Sequence, residues 1–316
     1  MQQKKFFNDS FAIWILGNKN RSDVHINEWL IPTDENYIDF GIRIYEVNQV
    51  DVLGLFVPYI LMENEIEDLW DKMCNEKIAR GVLNALCSIS QNSNSGIIDI
   101  EYKNKKENII KLSLLNIKIE NIDAGTIILF DFSEVKSKIN RDEIYIRFRI
   151  PYKSLTRLVD VEEPNFESFF ESPVIKYQYN CVFKLNEVRT LPWEVRRISN
   201  ISNQNIDKVV ITISVNGKYD IDDNKCYKVR QLEGELYQDY VPKKFDCNNV
   251  ISYSWRDELR KHYNFNFKIS REFISKKGLL KYAVIVIVLS AIGSALWSGV
   301  GEVSDMLKYF VEYFRT

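Results

Sequence analysis

The stretch VVITISVNG, residues 209–217, indicates how this chain of 316 residues folds. Apolar residues occupy every second position of it: Val209, Ile211, Ile213 and Val215. A period of two is typical of a strand with one buried face, and the closing Asn216-Gly217 pair favours a tight hairpin turn. Residues 38–45 alternate in the same way. Both stretches predict antiparallel sheets that pack on one side and keep one polar face.

Other parts of the chain extend this pattern. Further strands are expected at 11–16, 109–120, 126–132, 142–150 and 176–186. Helical spacing of apolar residues is concentrated in 63–89, where Asn75 is expected to break or cap the helix. A second, shorter helix is predicted over 254–263. The predicted fold class is therefore mainly β (α+β), an antiparallel β-rich region with a helical insertion near residues 63–90, followed by one C-terminal transmembrane helix.

Changes in composition suggest how the chain is divided. A polar stretch at 134–141 separates two runs of strands. The predicted segments are 1–138, a β-rich domain with the helical segment; 139–270, a second β-rich domain; 271–281, a basic juxtamembrane segment; 282–300, a transmembrane helix; and 301–316, an amphipathic tail.

The membrane prediction rests on Tyr282–Val300, which contains no charged residue. Nineteen residues in a helix span roughly 28 Å, close to the thickness of the bilayer's hydrocarbon core. The alternative is a helix buried in a protein core. Four cations precede the stretch, at 271, 276, 277 and 281, and only two follow it. This asymmetry predicts a single-pass protein of the cell inner membrane with its large N-terminal region in the cytoplasm. Five cysteines without close pairs also favour a reducing compartment.

Small residues recur along the apolar stretch at four-residue spacing, which allows helices to approach closely in lipid. We therefore expect a homo-oligomer through this helix, with a plain anchor as the alternative. If the helix continues straight into the tail, its serines and acidic residues form one continuous stripe. In a ring of such helices this stripe lines a pore with an acidic mouth. Its predicted pore-lining residues are Ser290, Ser294, Ser298, Glu302 and Asp305. If the helix breaks at Gly301, the tail lies flat on the membrane instead.

Catalytic chemistry is poorly represented in the sequence. The two histidines, His25 and His262, are far apart and are expected to be isolated surface residues. No glycine-rich phosphate-binding loop is present, and the acidic clusters do not have the spacing of a calcium loop. We therefore predict that the protein is not an enzyme and has no cofactor, no metal site and no catalytic residues.

One strand has the character of a binding surface. Residues 144–150 place isoleucines and Phe148 on one face and a tyrosine and two arginines on the other. Guanidinium groups bind phosphates and aromatic rings stack on bases. The predicted ligand-binding residues are Tyr145, Arg147, Arg149, Lys153, Arg157, Arg196 and Arg197. Because the net charge is −2, any anion site must be local. The alternative is a solvated face with cross-strand ion pairs.

The overall plan, about 270 soluble residues, the span Tyr282–Val300 and a short amphipathic tail, resembles that of membrane effectors in bacterial anti-phage defence. It is similar to the Hailong-type effector and more distantly to effectors of CBASS and retron systems. The resemblance implies a homo-oligomeric ion channel or membrane-disrupting protein, gated by a nucleotide or short oligonucleotide that a partner nucleotidyltransferase makes. An alternative of another class is a tail-anchored adaptor that recruits a protein partner to the membrane and forms no pore.

Overall fold

The structure of this chain is a computed structural model. The residues that it describes are 10–18, 21–30, 36–91, 96–102, 105–139, 141–152, 159–162, 174–199, 205–216, 220–222, 226, 228–241, 249–274 and 276–298.

Strands make up most of this described part, so the prediction of a mainly β protein is confirmed. The strands are β1 (Ala12–Gly17), β2 (Arg21–Leu30), β3 (Asn36–Ile44), β4 (Val50–Val57), β5 (Glu67–Asp68), β6 (Ser88–Gln91), β7 (Ile97–Tyr102), β8 (Lys105–Ile110), β9 (Asn116–Ile122), β10 (Gly125–Asp131), β11 (Ile144–Tyr152), β12 (Val159–Glu162), β13 (Val174–Leu185), β14 (Asn205–Asn216), β15 (Asp220–Asp222), β16 (Lys228–Gln231), β17 (Val250–Arg260) and β18 (Tyr263–Ile274). The helices are α1 (Trp70–Met73), α2 (Glu76–Leu83), α3 (Trp193–Ser199), α4 (Gly234–Tyr237) and α5 (Lys276–Ser298).

The largest sheet has ten strands, ordered β16-β17-β14-β2-β3-β11-β8-β7-β6, with β5 also pairing with β11. Most of its pairs are antiparallel, as the sequence predicts. Two pairs are parallel, β14 with β2 and β11 with β8. The parallel pairs arise because the sheet brings together strands that are distant in the chain, which hairpin signals do not reveal.

The apolar face of this sheet packs on a second sheet of four strands, ordered β1-β4-β10-β9. The Phe130 ring of β10 lies 5.3 Å from the Phe148 ring of β11, and the Phe148 and Phe40 rings lie 5.8 Å apart. The isoleucines of β3 and β11 on this face are fully buried. The alternating apolar residues therefore form the core between two sheets.

The opposite face of the ten-stranded sheet is also covered. Trp29 of β2 packs in a buried cluster with Ile78 of α2 and Tyr240, which follows α4. The expectation of one solvated face is therefore wrong here. It failed because the helical insertion and residues 232–241 cover a face that the strand pattern alone marks as polar.

The helical insertion is where the sequence predicts it, although its helices are short. Asn75 caps α2, since its side-chain oxygen accepts a hydrogen bond from the Lys77 N–H at 3.0 Å. The predicted helix over 254–263 is wrong, because residues 254–260 belong to β17 and β18 begins at Tyr263. Their actual period is two, with Ser252, Ser254 and Arg256 on one face.

The chain divides into two compact units, one of residues 1–158 and 180–269 and the other of 159–179 and 270–316. The predicted boundary at 138/139 therefore falls inside the first unit, where strands from both predicted domains share the ten-stranded sheet. In the second unit, β12 pairs antiparallel with the first part of β13, from Val159 opposite Tyr179 to Glu162 opposite Lys176.

Helix α5 of the second unit has 23 residues and begins at Lys276, inside the predicted juxtamembrane segment. Five of its large apolar side chains are more than half exposed: Leu279, Leu280, Val286, Ile287 and Leu289. Within the described ranges, none of the helices combines the length and the apolar character needed to cross a membrane.

Candidate functional site

A cavity of about 340 Å³ lies in the first unit, on the covered polar face of the ten-stranded sheet. Its floor comes from β2, β14 and β17, where strand alternation points every second side chain toward it. Leu83 and Ala85 border it from α2 and the residues after it, and Tyr237 and Tyr240 border it from α4 and beyond. The volume is at the lower end of the range of about 300–1,000 Å³ found for small-molecule sites.

The middle of the floor is built from hydroxyl groups. Thr212 and Ser254 are hydrogen-bonded across β14 and β17 at 3.1 Å, and Ser214 and Ser252 are bonded in the same way at 2.9 Å. The Ser214 hydroxyl is also 3.1 Å from the Asn27 side-chain oxygen. Small side chains at these positions leave the space that the cavity occupies, and their hydroxyls can donate to or accept from a ligand.

Cations surround this floor. Six of the lining residues carry a positive charge: Arg43, Arg147, Lys208, Lys228, Arg230 and Arg256. Within the described part of the chain, no carboxylate is among the lining residues. A site of this composition favours an anionic ligand, because charge neutralisation and charge-assisted hydrogen bonds act together.

Arg43 is held by carboxylates behind the cavity wall. Its Nε and Nη2 donate to the two oxygens of Glu107 at 2.5 and 3.0 Å, and its Nη1 lies 3.4 Å from Asp23. Burial favours the neutral form, but the hydrogen bonds and charge of Glu107 outweigh it and raise the pKa of Arg43 above its ordinary value. Arg43 is therefore a fixed, largely neutralised part of the wall.

Arg147 and Arg149, on β11, belong to one buried network centred on Asp39. Arg149 donates to Asp39 from Nε at 2.6 Å and from Nη2 at 3.1 Å, and the Tyr240 hydroxyl donates to the same carboxylate at 2.8 Å. Arg147 donates from Nε to the Tyr240 hydroxyl at 2.5 Å and from Nη1 to the Tyr145 hydroxyl at 2.9 Å. Burial alone would raise the pKa of Asp39, but the charges of the two arginines lower it.

Glycine at position 41 makes this arrangement possible. Gly41 lies opposite Arg147 in the β3–β11 register. A Cβ atom there would overlap the Tyr145 hydroxyl and lie 2.6 Å from Nη1 of Arg147. Only a residue without a side chain leaves room for the two long side chains to cross β3.

The two cations of β16 are less fully neutralised. Lys228 donates to the Asn84 side-chain oxygen at 2.8 Å, and Arg230 donates to the Tyr237 hydroxyl at 2.6 Å. Lys208 lies opposite Asp23 of β2 and Glu258 of β17 in the strand register. Burial lowers the pKa of Lys208, and the charges of Asp23 and Glu258 offset this only in part.

His25 lines the cavity floor, so the expectation of an isolated surface histidine is wrong for this residue. Burial, followed by the charges of Arg43, Lys208 and Arg147, lowers the pKa of its imidazole well below the ordinary value. The ring is therefore neutral at pH 7 and offers a ligand one donor and one acceptor. Among the described residues, no group of three or more His, Cys, Asp or Glu could hold a metal ion.

The structure separates the predicted ligand-binding residues. Tyr145, Arg147 and Arg149 come together but are buried, and only Arg147 lines the cavity. Arg196 and Arg197 lie on α3 and are exposed, outside the cavity. Lys153 and Arg157 lie outside the described residues, as do Glu302 and Asp305 of the predicted pore. Ser290 and Ser294 are exposed on α5, and Ser298 is its last residue.

Several cavity residues were missed from the sequence. Lys208 precedes the opening stretch by one position, and its face of β14 continues through Thr212 and Ser214. The polar positions 252, 254 and 256 carry the same signal in β17, where a helix was predicted. Compared with models of known protein families and with curated proteins, the chain shows no significant match to either.

Proposed function

We propose that this chain is a membrane-anchored effector whose β-rich unit binds a nucleotide in the cation-lined cavity. Ligand binding would shift how copies of the chain assemble and thereby gate an ion-conducting or membrane-disrupting oligomer of α5. A ligand can do this only through different affinities for the two states. The resemblance in plan to Hailong-type effectors supports a role in anti-phage defence, with a ligand made by a partner nucleotidyltransferase.

The observation that carries the proposal is the set of six cations around one cavity, together with a floor of hydroxyl groups. Phosphate groups are recognised by such cations, and sugar and base groups by hydroxyls and rings. The volume of about 340 Å³ favours a single nucleotide over an oligonucleotide. The proposed ligand is therefore a single nucleotide, whereas the sequence predicts either a nucleotide or a short oligonucleotide.

Two features support the membrane part of the proposal: the uncharged stretch of the sequence that overlaps α5 and the exposed apolar side chains of α5. Tyr282–Val300 has no charged residue and extends two positions beyond Ser298, where the described helix ends. The exposed apolar side chains of α5 need a covering surface, and lipid or neighbouring helices would provide one. Ser290, Ser294 and Ser298 recur at the spacing that permits close helix packing in lipid.

Binding is tested by calorimetric titration of the full-length protein in detergent with ATP, ADP and adenosine. We expect the two phosphorylated probes to bind and adenosine to bind at least about 10-fold more weakly, because each charge-assisted hydrogen bond contributes about 1.5–3 kcal/mol. Lys208→Gln and Arg256→Gln should each weaken ADP binding. Lys118→Gln is the matched control, because Lys118 is exposed on β9, outside the cavity.

Membrane function is tested by dye-flux measurements on the protein in liposomes. Ser294→Leu should abolish ligand-dependent flux, because a bulky side chain prevents close approach of the helices, while ADP binding should be retained. Flux that is unchanged in this variant would contradict the assembly through α5.

The adaptor function is the second candidate, and exposed apolar side chains of the first unit favour it. Val188, Trp193 and Ile198 are large apolar side chains at least 38% exposed, and Arg196 lies over the Trp193 ring at 5.8 Å. Tryptophan and arginine are enriched at protein interfaces. Replacing Tyr282–Val300 by polyleucine separates the candidates, because an adaptor should keep its function and a channel should lose it.

A further inference from the structure

The six cavity cations differ in how far their charges are already neutralised. Arg43 is paired with Glu107, Arg147 lies 3.6 Å from Asp39, and Arg256 donates to Glu258 at 2.8 Å. In contrast, the hydrogen bonds given above for Lys228 and Arg230 go to neutral groups. Lys208 lies opposite the carboxylates Asp23 and Glu258 on the neighbouring strands. Uncompensated positive charge is therefore concentrated on β16, at one edge of the ten-stranded sheet.

Strand register places hydroxyl groups beside these two cations. Lys228 lies opposite Ser254 and Arg230 lies opposite Ser252 in the antiparallel β16–β17 pair. Directly opposed residues of two strands project from the same face of a sheet. One edge of the cavity thus has an ammonium group, a guanidinium group and two hydroxyls, which is a donor set suited to phosphate oxygens.

We infer that this edge of the cavity is a phosphate subsite, formed by Lys228, Arg230, Ser252 and Ser254. The inference rests on the proposed nucleotide binding and gives the ligand an orientation. Its phosphate lies at β16–β17, and its uncharged part lies toward Arg43 and Arg147, whose charges are neutralised by the protein. The subsite is distinct from the β11 arginine face that the sequence predicts.

The same geometry implies competition for Lys228. Its ammonium donates to the side chain of Asn84, the residue that ends α2 in the left-handed conformation at φ 49° and ψ 43°. A phosphate that recruits Lys228 must draw it away from Asn84 or share it. Ligand binding therefore loosens the contact between α2 and β16.

Two substitutions test this inference in the full-length protein. Lys228→Gln should weaken binding of ADP and of inorganic pyrophosphate at least about 10-fold, since it removes a charge-assisted bond. Asn84→Gly should strengthen binding of both probes about 2- to 10-fold, because the competing hydrogen bond is lost. Glycine tolerates the left-handed conformation, so the end of α2 is preserved. Lys118→Gln again serves as the control.

The outcomes separate the subsite from the function on which it rests. If ADP binds the wild type but Lys228→Gln and Asn84→Gly leave its affinity unchanged, the subsite is wrong and nucleotide binding stands. If neither ADP nor pyrophosphate binds the wild type, the proposed function fails and the subsite fails with it. The decisive result is tighter binding of ADP and pyrophosphate to Asn84→Gly than to the wild type. If the hydrogen bond between Lys228 and Asn84 did not compete with the ligand, its removal would not raise ligand affinity.

Discussion

Replacing Glu28 by glutamine should stabilise the protein at neutral pH. Glu28 projects into the core from β2, between Ile38 of β3 and Ile213 of β14, and is only 1% exposed. Its Oε1 atom has no hydrogen-bond partner in the described part of the chain. Burial raises the pKa of this carboxyl from 4.5 to about 8. At pH 7 the folded protein therefore holds a proton that the unfolded chain releases.

The size of the effect follows from the raised pKa. A buried carboxyl with a raised pKa lowers the free energy of unfolding as the pH rises. This penalty is absent below the unfolded-state pKa of 4.5 and is complete above the folded-state pKa of about 8. Each pH unit in this window costs about 1.4 kcal/mol. The penalty is therefore about 3 kcal/mol at pH 7 and about 1 kcal/mol at pH 5. Glutamine has nearly the shape of the neutral acid and needs no proton, so it should recover these amounts.

Urea unfolding of the whole chain, measured at pH 5 and pH 7, checks this prediction. The free energy of unfolding of Glu28→Gln should exceed that of the wild type by more at pH 7 than at pH 5. Glu120→Gln, on the exposed surface of β9, is the control and should change the free energy by less than about 0.5 kcal/mol. Equal gains at both pH values, or a loss at pH 7, would refute the assignment of a buried, protonated Glu28.

Three further substitutions probe the cavity wall and floor. Gly41→Ala should lower the free energy of unfolding by about 1–3 kcal/mol, measured by urea titration, because the added methyl group overlaps the Tyr145 hydroxyl. Asp39→Asn should lower it by about 3–5 kcal/mol in the same assay, since Arg149 is left buried without its carboxylate; a loss below 1 kcal/mol would contradict this network. His25→Gln should reduce the loss of stability between pH 7 and pH 5. The folded-state pKa of His25 is lowered, so only the unfolded wild type gains this proton as the pH falls, at up to about 1.4 kcal/mol per pH unit.

Local patterns in the sequence predict individual strands and helices but do not predict the cavity. Alternation identified β3 and β14, and the sequence signal at Asn75 marked the cap of α2. The cavity floor, however, combines polar positions of strands that are adjacent only in the folded sheet. Lys208 meets His25 and Arg256 because β14 lies between β2 and β17, and no local signal specifies that order.

The two β11 arginines show why residue type and strand face were insufficient to predict which residues line the cavity. Arg147 and Arg149 project from the same face of the strand, and the sequence assigns both to a ligand. In the structure Arg149 is committed to Asp39 and to the Tyr240 backbone oxygen, whereas Arg147 borders the cavity. Which of them meets a ligand depends on partners far along the chain, which cannot be deduced from the alternation of β11.

The parallel pairing of β2 with β14 also governs when the fold can form during synthesis. Val24 pairs with Val209, so 185 residues separate two neighbouring positions of the sheet. At about 5–20 residues per second, a ribosome needs roughly 10–40 s to make that interval. During this time β2 must wait with an unpaired edge, which favours chaperone contact. The central sheet closes only as β14 and β17 emerge, shortly before translation reaches the apolar α5.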